Sequence, residues 1–295
     1  MTRLHLSQLI LVQALWGLNM VAGKAGTASF GPFLFITLRF AIVFVLLVPF
    51  LRPVAGQMRM IISIGLVLGI GHYAFMFYAI HVAGSLSSVA IASQLTVPLS
   101  TILAIVFLGE RIGLPRALAI TVSFLGVAII AAAPIGGPTQ VFALCLTAVA
   151  SLAMAVAAIL MRRLHGVGTF NLQAWIALSA MISMGIVTYL VEQPVMTDLL
   201  RSDYVDYVPV LYSAIGATII GHGLLYQLLQ RYPVNDIAPF ITLSTVFAVG
   251  FGVWLLNDPL TFRIIAGGLL VLGGVTVIAM RNAVREAPSG LRVPR

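Results

Sequence analysis

The chain has 295 residues, of which 61% are hydrophobic and only 8% are charged. Soluble domains contain roughly 45–50% apolar and about 25% charged residues, so this composition excludes an ordinary soluble enzyme and predicts a polytopic membrane protein. The net charge of +8 comes from cations spread singly or in pairs between apolar runs, a pattern that excludes nucleic acid as a partner.

Charged residues, prolines and glycine clusters divide the chain into apolar runs of about 20 residues, the length of an α-helix that crosses a bilayer. The runs do not alternate apolar and polar residues as the strands of a membrane barrel do. We therefore expect an all-α polytopic membrane protein with ten transmembrane helices and no separate soluble domain. In chain order, the predicted spans are 6–24, 32–51, 59–81, 86–108, 115–133, 140–161, 170–191, 208–230, 236–256 and 262–280.

Positive charges in the connections predict the orientation, because Lys and Arg accumulate on the cytoplasmic side. A cytoplasmic N-terminus places twelve of them inside and three outside, where Lys24, Arg201 and Arg263 lie. We expect a multi-pass protein of a bacterial-type inner membrane with both termini in the cytoplasm. Residues 282–295 are polar and contain proline and glycine, so we expect a disordered tail, part of which could equally be a tag remnant.

Short motifs recur between the two halves of the chain. Gly71-His72-Tyr73 in the third span recurs as Gly221-His222-Gly223 in the eighth, and Phe107-Leu108-Gly109-Glu110 after the fourth recurs as Leu255-Leu256-Asn257-Asp258 after the ninth. We predict two five-helix repeats, residues 1–134 and 135–281. Because five is odd, the second repeat crosses the membrane in the opposite direction, which is the plan of secondary transporters with a site near the midplane.

Several of these motifs resemble a known family. Trp16-Gly17-Leu18-Asn19, Leu38-Arg39-Phe40 and the Phe107 to Arg111 motif resemble EamA-type exporters of the drug/metabolite transporter superfamily. The His-containing third span and residues 233–239 are most similar to the YddG-type amino-acid exporters. The resemblance implies a transporter of neutral and aromatic amino acids. Asp258-Pro259 stands where the first half has Glu110-Arg111, so a role that requires the Arg is not duplicated.

Two histidines are the strongest candidates for a site. His72 and His222 fall near the middle of their spans at equivalent positions of the repeat, so both are expected near the bilayer centre. Each could line a cavity or be a neutral hydrogen-bonding residue of the core. Thr218, His222 and Tyr226 recur every four residues and form a polar stripe, whereas Tyr78 lies on a different face from His72.

Neutral polar and aromatic residues complete the predicted substrate site. Gln94, Pro98 and Thr101 share one face of the fourth span, where Pro98 releases the carbonyl of Gln94 for a substrate contact or a hinge. Trp16 and Asn19 lie one turn apart, as an aromatic wall and a polar contact, with helix packing as an equal alternative. The stripe that begins at Trp175 is explained equally well by helix packing.

The remaining charged residues near the spans are assigned structural or gating roles. Arg39 lies within the second span, where a tie to neighbouring groups is favoured over an anchor for a substrate carboxylate. Lys24 is expected at the interface or at an outer gate. Glu110, Arg111 and Asp258 lie at span ends.

These residues predict a carrier that exports small metabolites, above all neutral or aromatic amino acids, by alternating access through a central cavity. No carboxylate lies deep in a span, so we expect uncoupled or weakly coupled transport. The alternative is export of a nucleoside, sugar or drug with proton coupling through His72 and His222. An intramembrane enzyme or a channel is less well supported. We expect no cofactor and no metal site, and a monomer as the functional unit.

Overall fold

The computed structural model describes residues 1–109, 112–132, 136–192, 199 and 201–286, and this part of the chain consists of helices and short connections without a β-strand. Its helices are α1 Arg3–Phe30, α2 Pro32–Leu47, α3 Met58–Val82, α4 Leu86–Ser93, α5 Thr96–Leu108, α6 Leu114–Ala131, α7 Pro138–Met161, α8 Thr169–Val191, α9 Tyr204–Arg231, α10 Val234–Ile241, α11 Leu243–Leu256 and α12 Phe262–Glu286.

The ten predicted spans are present in the described chain. Nine helical segments are long and apolar enough to cross a membrane, and α4 and α5 together form one of them. The ninth predicted span consists of the 8-residue α10 followed by the 14-residue α11. The prediction of an all-α, ten-span membrane fold is therefore confirmed.

Helix ends follow the local sequence. Proline stands in the first turn of α2, α6 and α7, where its missing N–H has no intrahelical partner to lose. The helices α5 and α11 end at Gly109 and Asn257, both in the left-handed region with φ of 65° and 52°. Glycine has no penalty there and Asn tolerates it. The repeated motif predicted from the sequence thus ends both helices in the same way.

The packing partners follow the same repeat. α2 packs on α8 and α6 on α12, which pairs the second spans and the fifth spans of the two halves with each other. α1 packs on α11, and its counterpart α7 packs on α5. Close approach of α6 and α12 depends on glycine, since a Cβ on Gly126 would lie 2.6 Å from the carbonyl oxygen of Gly267. The two halves therefore form one bundle.

Two kinds of irregularity occur in both halves. The third span of each half contains a π-helical segment, Val67–Ala74 in α3 and Tyr212–Ile220 in α9. The fourth span of each half is broken, at Gln94 and Leu95 in the first and at Thr242 in the second. Interrupted spans are tolerated at membrane depth only where the backbone is covered by protein or lines a cavity, and these four irregularities surround the centre of the bundle.

Candidate substrate cavity

A central cavity of about 420 Å3 lies between the helices of the two halves. Small-molecule pockets typically measure roughly 300–1,000 Å3, so the cavity has room for a small metabolite. It combines a polar wall with apolar and aromatic surfaces. Its lining residues are Trp16, Asn19, Met20, Arg39, His72, Tyr73, Met76, Phe77, Ile80, Ala90, Ser93, Thr96, Met154, Ala217, His222, Ile241, Ser244, Thr245 and Ala248.

Both histidines of the repeated motif line the cavity, and each is held in the same way. Nδ1 of His72 lies 2.9 Å from the carbonyl oxygen of Ala150, and Nδ1 of His222 lies 3.0 Å from that of Thr218. A carbonyl oxygen only accepts, so Nδ1 is the donor in each ring. In a neutral imidazole the other nitrogen, Nε2, is then an acceptor. The cavity therefore contains two oriented imidazoles, one from each half.

Trp16 and Asn19 also line the cavity, as part of one surface of α1. Nε1 of Trp16 donates to the carbonyl oxygen of Ala217 at 3.1 Å, and its ring lies 5.3 Å from the ring of His222. The carbonyl oxygen of the Asn19 side chain accepts the hydroxyl of Ser213 at 2.6 Å. Both side chains are thus fixed against α9.

Arg39 reaches the same cavity from α2. Its side chain is 4% exposed, and Nη2 donates to the hydroxyl of Thr218 at 2.8 Å. That hydroxyl donates in turn to the carbonyl oxygen of Ser213 across the π-helical segment, at 2.9 Å. The guanidinium carbon lies 5.2 Å from the centre of the Phe40 ring and 5.5 Å from those of Tyr73 and Phe77.

Gln94 connects the two broken spans beside the cavity. It lies at the end of α4, is buried, and its Nε2 donates to the hydroxyl of Thr245, just after the break at Thr242. Its own carbonyl, which we expected Pro98 to release, accepts the N–H of Val97 at 3.1 Å. Gln94 thus supports the cavity through Thr245, which lines it.

Besides Gln94, five predicted substrate residues lie outside the lining. Pro98 and Thr101 follow Gln94 on α5, and the hydroxyl of Thr101 donates to a carbonyl of its own helix, that of Val97. Tyr78 stacks on Phe33, with ring centres 5.9 Å apart, and Tyr226 is partly buried in α9. The fifth, Trp175, lies in another cavity.

Trp175 belongs to a separate apolar cavity of about 520 Å3 between α3 and α8. Its Nε1 donates to the carbonyl oxygen of Arg52 at 3.1 Å. Ser179 lies one turn further along α8. A Cβ on Gly65 would lie within 2.6 Å of the Ser179 side chain. This side of α8 packs closely on α3, which agrees with the alternative of helix packing.

The charged residues at the span ends hold helix termini. Nζ of Lys24 donates to the carbonyl oxygens of His81 and Ala83, both at 2.8 Å, at the end of α3. The carboxylate of Asp258 accepts the N–H groups of Leu86 and Ser87 at the start of α4. These contacts connect α1 with α3 and α11 with α4 on one face of the membrane. The other two predicted residues of this group, Glu110 and Arg111, lie outside the described residues.

A comparison with protein families decides what kind of protein has this fold. The model of the EamA-like transporter family matches the chain twice, over residues 5–132 and 141–280. The chain belongs to the EamA-like transporter family. This confirms the resemblance to EamA-type exporters, and it makes the protein a multi-pass membrane transporter and not an enzyme. Within the described residues, no group of three or more His, Cys, Asp or Glu side chains could hold a metal ion.

Relatives of this EamA transporter cover nearly its whole length. Two relatives are each named "Probable amino-acid metabolite efflux pump". The protein from Salmonella typhimurium is 26% identical, and the match covers 94% of this chain and 95% of the relative. The protein from Escherichia coli is 24% identical, and the match covers 91% of this chain and 92% of the relative. An "Uncharacterized transporter" of Archaeoglobus fulgidus is 25% identical over 93% of the chain and 98% of its own. The chain in a solved crystal structure is 20% identical in sequence, and the match covers 96% of this chain and 99% of that one. The TM-score of 0.63 shows that the two share a fold.

Sequence reasoning missed part of the cavity of this EamA transporter. Met20 lies four residues after Trp16 and Met76 lies four residues after His72, and all four line the cavity. Residues four apart share a helix face, so extending the stripes by one turn would have found both methionines. Tyr73 and Thr245 carried no such pattern, because one belongs to a π-helical segment and the other follows a helix break.

Proposed function

We propose that this EamA transporter exports amino acids with apolar or aromatic side chains through the central cavity, across a bacterial-type inner membrane. The observation that carries the proposal is the composition of the cavity wall. Trp16, Phe77 and three methionines offer contact to an apolar or aromatic side chain, and polar groups of Arg39 and the two histidines face the same space. The names of the two enterobacterial relatives support an amino-acid substrate.

Alternating access is the mechanism that this architecture favours. The cavity lies between two repeats that contribute equivalent elements, and each repeat brings a broken fourth span to it. In secondary transporters, repeats of this kind rock around a midplane site and open it first to one side and then to the other. With both termini in the cytoplasm, as the positive charges predict, the face that carries Lys24 and Asp258 is the outer one.

Transport is proposed to be uncoupled or weakly coupled. No Asp or Glu is among the described residues that line the cavity, and buried carboxylates are the usual proton carriers of driven exporters. An amino acid then leaves down its own concentration gradient. The two histidines provide the alternative route, proton coupling during export of another solute such as a nucleoside, a sugar or a drug.

Proteoliposomes test the proposed substrate class and the proposed cavity together. We expect saturable counterflow of labelled phenylalanine into vesicles loaded with unlabelled phenylalanine, and none of a labelled nucleoside or sugar. Trp16→Ala should abolish most of this counterflow because it removes the cavity wall, whereas Trp175→Ala, the same change outside the cavity, should leave it within about twofold of the native rate. Counterflow of nucleoside or sugar without phenylalanine would contradict the proposal.

An imposed pH gradient tests the coupling. Net phenylalanine flux should be nearly the same with and without the gradient if transport is uncoupled. Acceleration by the gradient that disappears in His72→Gln or His222→Gln would contradict uncoupled transport and establish the proton-coupled alternative.

A further inference from the structure

Arg39 is a buried cation for which the described part of the chain supplies no counterion. Its one hydrogen bond within the described chain goes to the hydroxyl of Thr218, and no described carboxylate interacts with it. Its Nε is buried and has no hydrogen-bond partner among the residues that the structure describes. A guanidinium has five N–H donors in a fixed plane, so most of its donor capacity is unused by the protein.

A structural role alone does not account for this arrangement. Ionisable residues inside a membrane are costly and normally pair with an opposite charge or with several carbonyls. Three aromatic rings and one hydroxyl surround the guanidinium instead, which is a weak substitute for a carboxylate. Since Arg39 also lines the central cavity, an anionic group of a bound substrate would supply the missing charge.

The cavity also contains acceptors for a cationic group. Nδ1 of both His72 and His222 is used by a backbone carbonyl, so each neutral ring presents Nε2 as an acceptor. Nε2 of His72 has no hydrogen-bond partner within the described chain, and the ring of His222 also approaches the backbone of Ala217. One cavity therefore combines a forked donor with a positive charge and two neutral acceptors. These are the complements of a carboxylate and of an ammonium group.

We propose that Arg39 binds the α-carboxylate of the substrate while Nε2 of His72 or His222 accepts its ammonium group, so that the cavity selects zwitterionic amino acids by their backbone. This inference rests on the proposed amino-acid export and names the groups that recognise the substrate. Thr218 is a positioning residue, because its hydroxyl holds one arm of the guanidinium and leaves the others for the carboxylate. The side chain of the amino acid then lies against the methionines and Trp16.

A ligand series with the native protein tests the inference without any substitution. The experiment compares how strongly four unlabelled compounds inhibit the counterflow of labelled phenylalanine. One is phenylalanine itself. Phenylalaninamide and phenethylamine lack the carboxylate, and 3-phenylpropionate lacks the ammonium group. Charge-assisted hydrogen bonds are the strongest kind, so we expect each of the three analogues to inhibit at least about tenfold more weakly. Equal inhibition by phenylalaninamide and phenylalanine would overturn the inference.

Variants at Arg39 assign the selectivity to this residue. Arg39→Gln should reduce the ratio of phenylalanine to phenylalaninamide affinity to about one, because no cation is left to distinguish them. Arg39→Lys should retain part of the ratio, since an ammonium keeps the charge but not the fork. Thr218→Val keeps the cation, so it should weaken phenylalanine binding by less than Arg39→Gln does. A ratio that stays at the native value in Arg39→Gln would overturn the assignment.

The outcomes separate this inference from the proposed function. If the native protein shows no phenylalanine counterflow, the proposed function fails. If it transports phenylalanine but does not distinguish the acid from the amide, only the inference fails. A ratio of affinities does not depend on how much folded protein is present, so partial misfolding of a variant does not imitate the expected result. If Arg39→Gln yields no folded protein, the native ligand series alone decides.

Discussion

Replacing Asp258 by alanine measures how much of the fold depends on one capping carboxylate. Asp258 is 7% exposed, and its oxygens lie 3.2 Å from the backbone nitrogen of Leu86 and 2.6 Å from that of Ser87. Both N–H groups belong to the first turn of α4 and have no intrahelical acceptor. A buried donor left without a partner costs roughly 1–3 kcal/mol, so we expect Asp258→Ala to lower the free energy of unfolding by about 3 kcal/mol.

Two further variants show how much of the stability loss in Asp258→Ala is due to the lost charge and how much to the burial of the capped N–H groups. Asp258→Asn keeps an oxygen that accepts from the same N–H groups, and Asn is as good a capping residue as Asp. We expect it to cost about 1 kcal/mol, mainly through the lost charge. Asp203 caps the start of α9 but is exposed. Water can replace its carboxylate, so Asp203→Ala should also cost no more than about 1 kcal/mol.

Thermal unfolding of the purified protein in detergent, followed by the fluorescence of its three Trp residues, provides the measurement. One kcal/mol shifts the melting temperature of a chain this long by about 2 °C. We expect a decrease of about 6 °C for Asp258→Ala and of about 2 °C for Asp258→Asn and Asp203→Ala. Equal decreases for the two alanine variants would refute the reasoning, because burial of the orphaned N–H groups would then make no difference.

The remaining predictions concern helix contacts near the cavity. In Gly17→Ala the new Cβ would lie 2.5 Å from Cβ of Phe247 and 2.8 Å from a backbone nitrogen of α11. We therefore expect α1 and α11 to separate. The melting temperature should fall by several degrees, and counterflow should be slower. Gly250→Ala, the matched change with no atom within 4 Å, should melt no lower than the native protein. Lys24→Met removes two hydrogen bonds to carbonyl groups at the end of α3, so amide hydrogen exchange there should become faster. Unchanged exchange would contradict the role of Lys24 in holding this helix end.

Much of the fold could be predicted from the sequence because lipid imposes simple constraints. A spanning helix must be long, apolar and internally hydrogen-bonded, so composition and punctuation locate the spans. The repeat was visible for a physical reason as well. Gly109 and Asn257 both end a helix in a left-handed conformation that few residues tolerate, and such positions keep a recognisable residue type. The exact boundary between the repeats at 134 and 135 stays a prediction.

The candidate site was predicted less completely, since helical spacing shows which residues share a face but not where along that face a cavity ends. His72 and His222 line the cavity, but Tyr226, which shares the stripe of His222, does not, and neither does Tyr78, which the spacing places on a different face from His72. The π-helical segment of α9 ends at Ile220, so His222 and Tyr226 keep an α-helical spacing, and only their position along the helix axis separates them. The setting of Arg39 was not predictable either, because its partner Thr218 is 179 residues away in the chain.

The irregular backbone of α9 and the side chains that line the cavity beside it have a common physical basis. A π turn or a helix break leaves carbonyl groups without their usual partners, and inside a membrane each must be satisfied by another group. His222 donates to the carbonyl oxygen of Thr218 and Trp16 to that of Ala217, both within the π-helical segment of α9. The same side chains line the cavity. Satisfying the backbone thus makes Nδ1 of His222 the donor of its ring, so the irregularity of α9 and the chemistry offered to a substrate depend on each other.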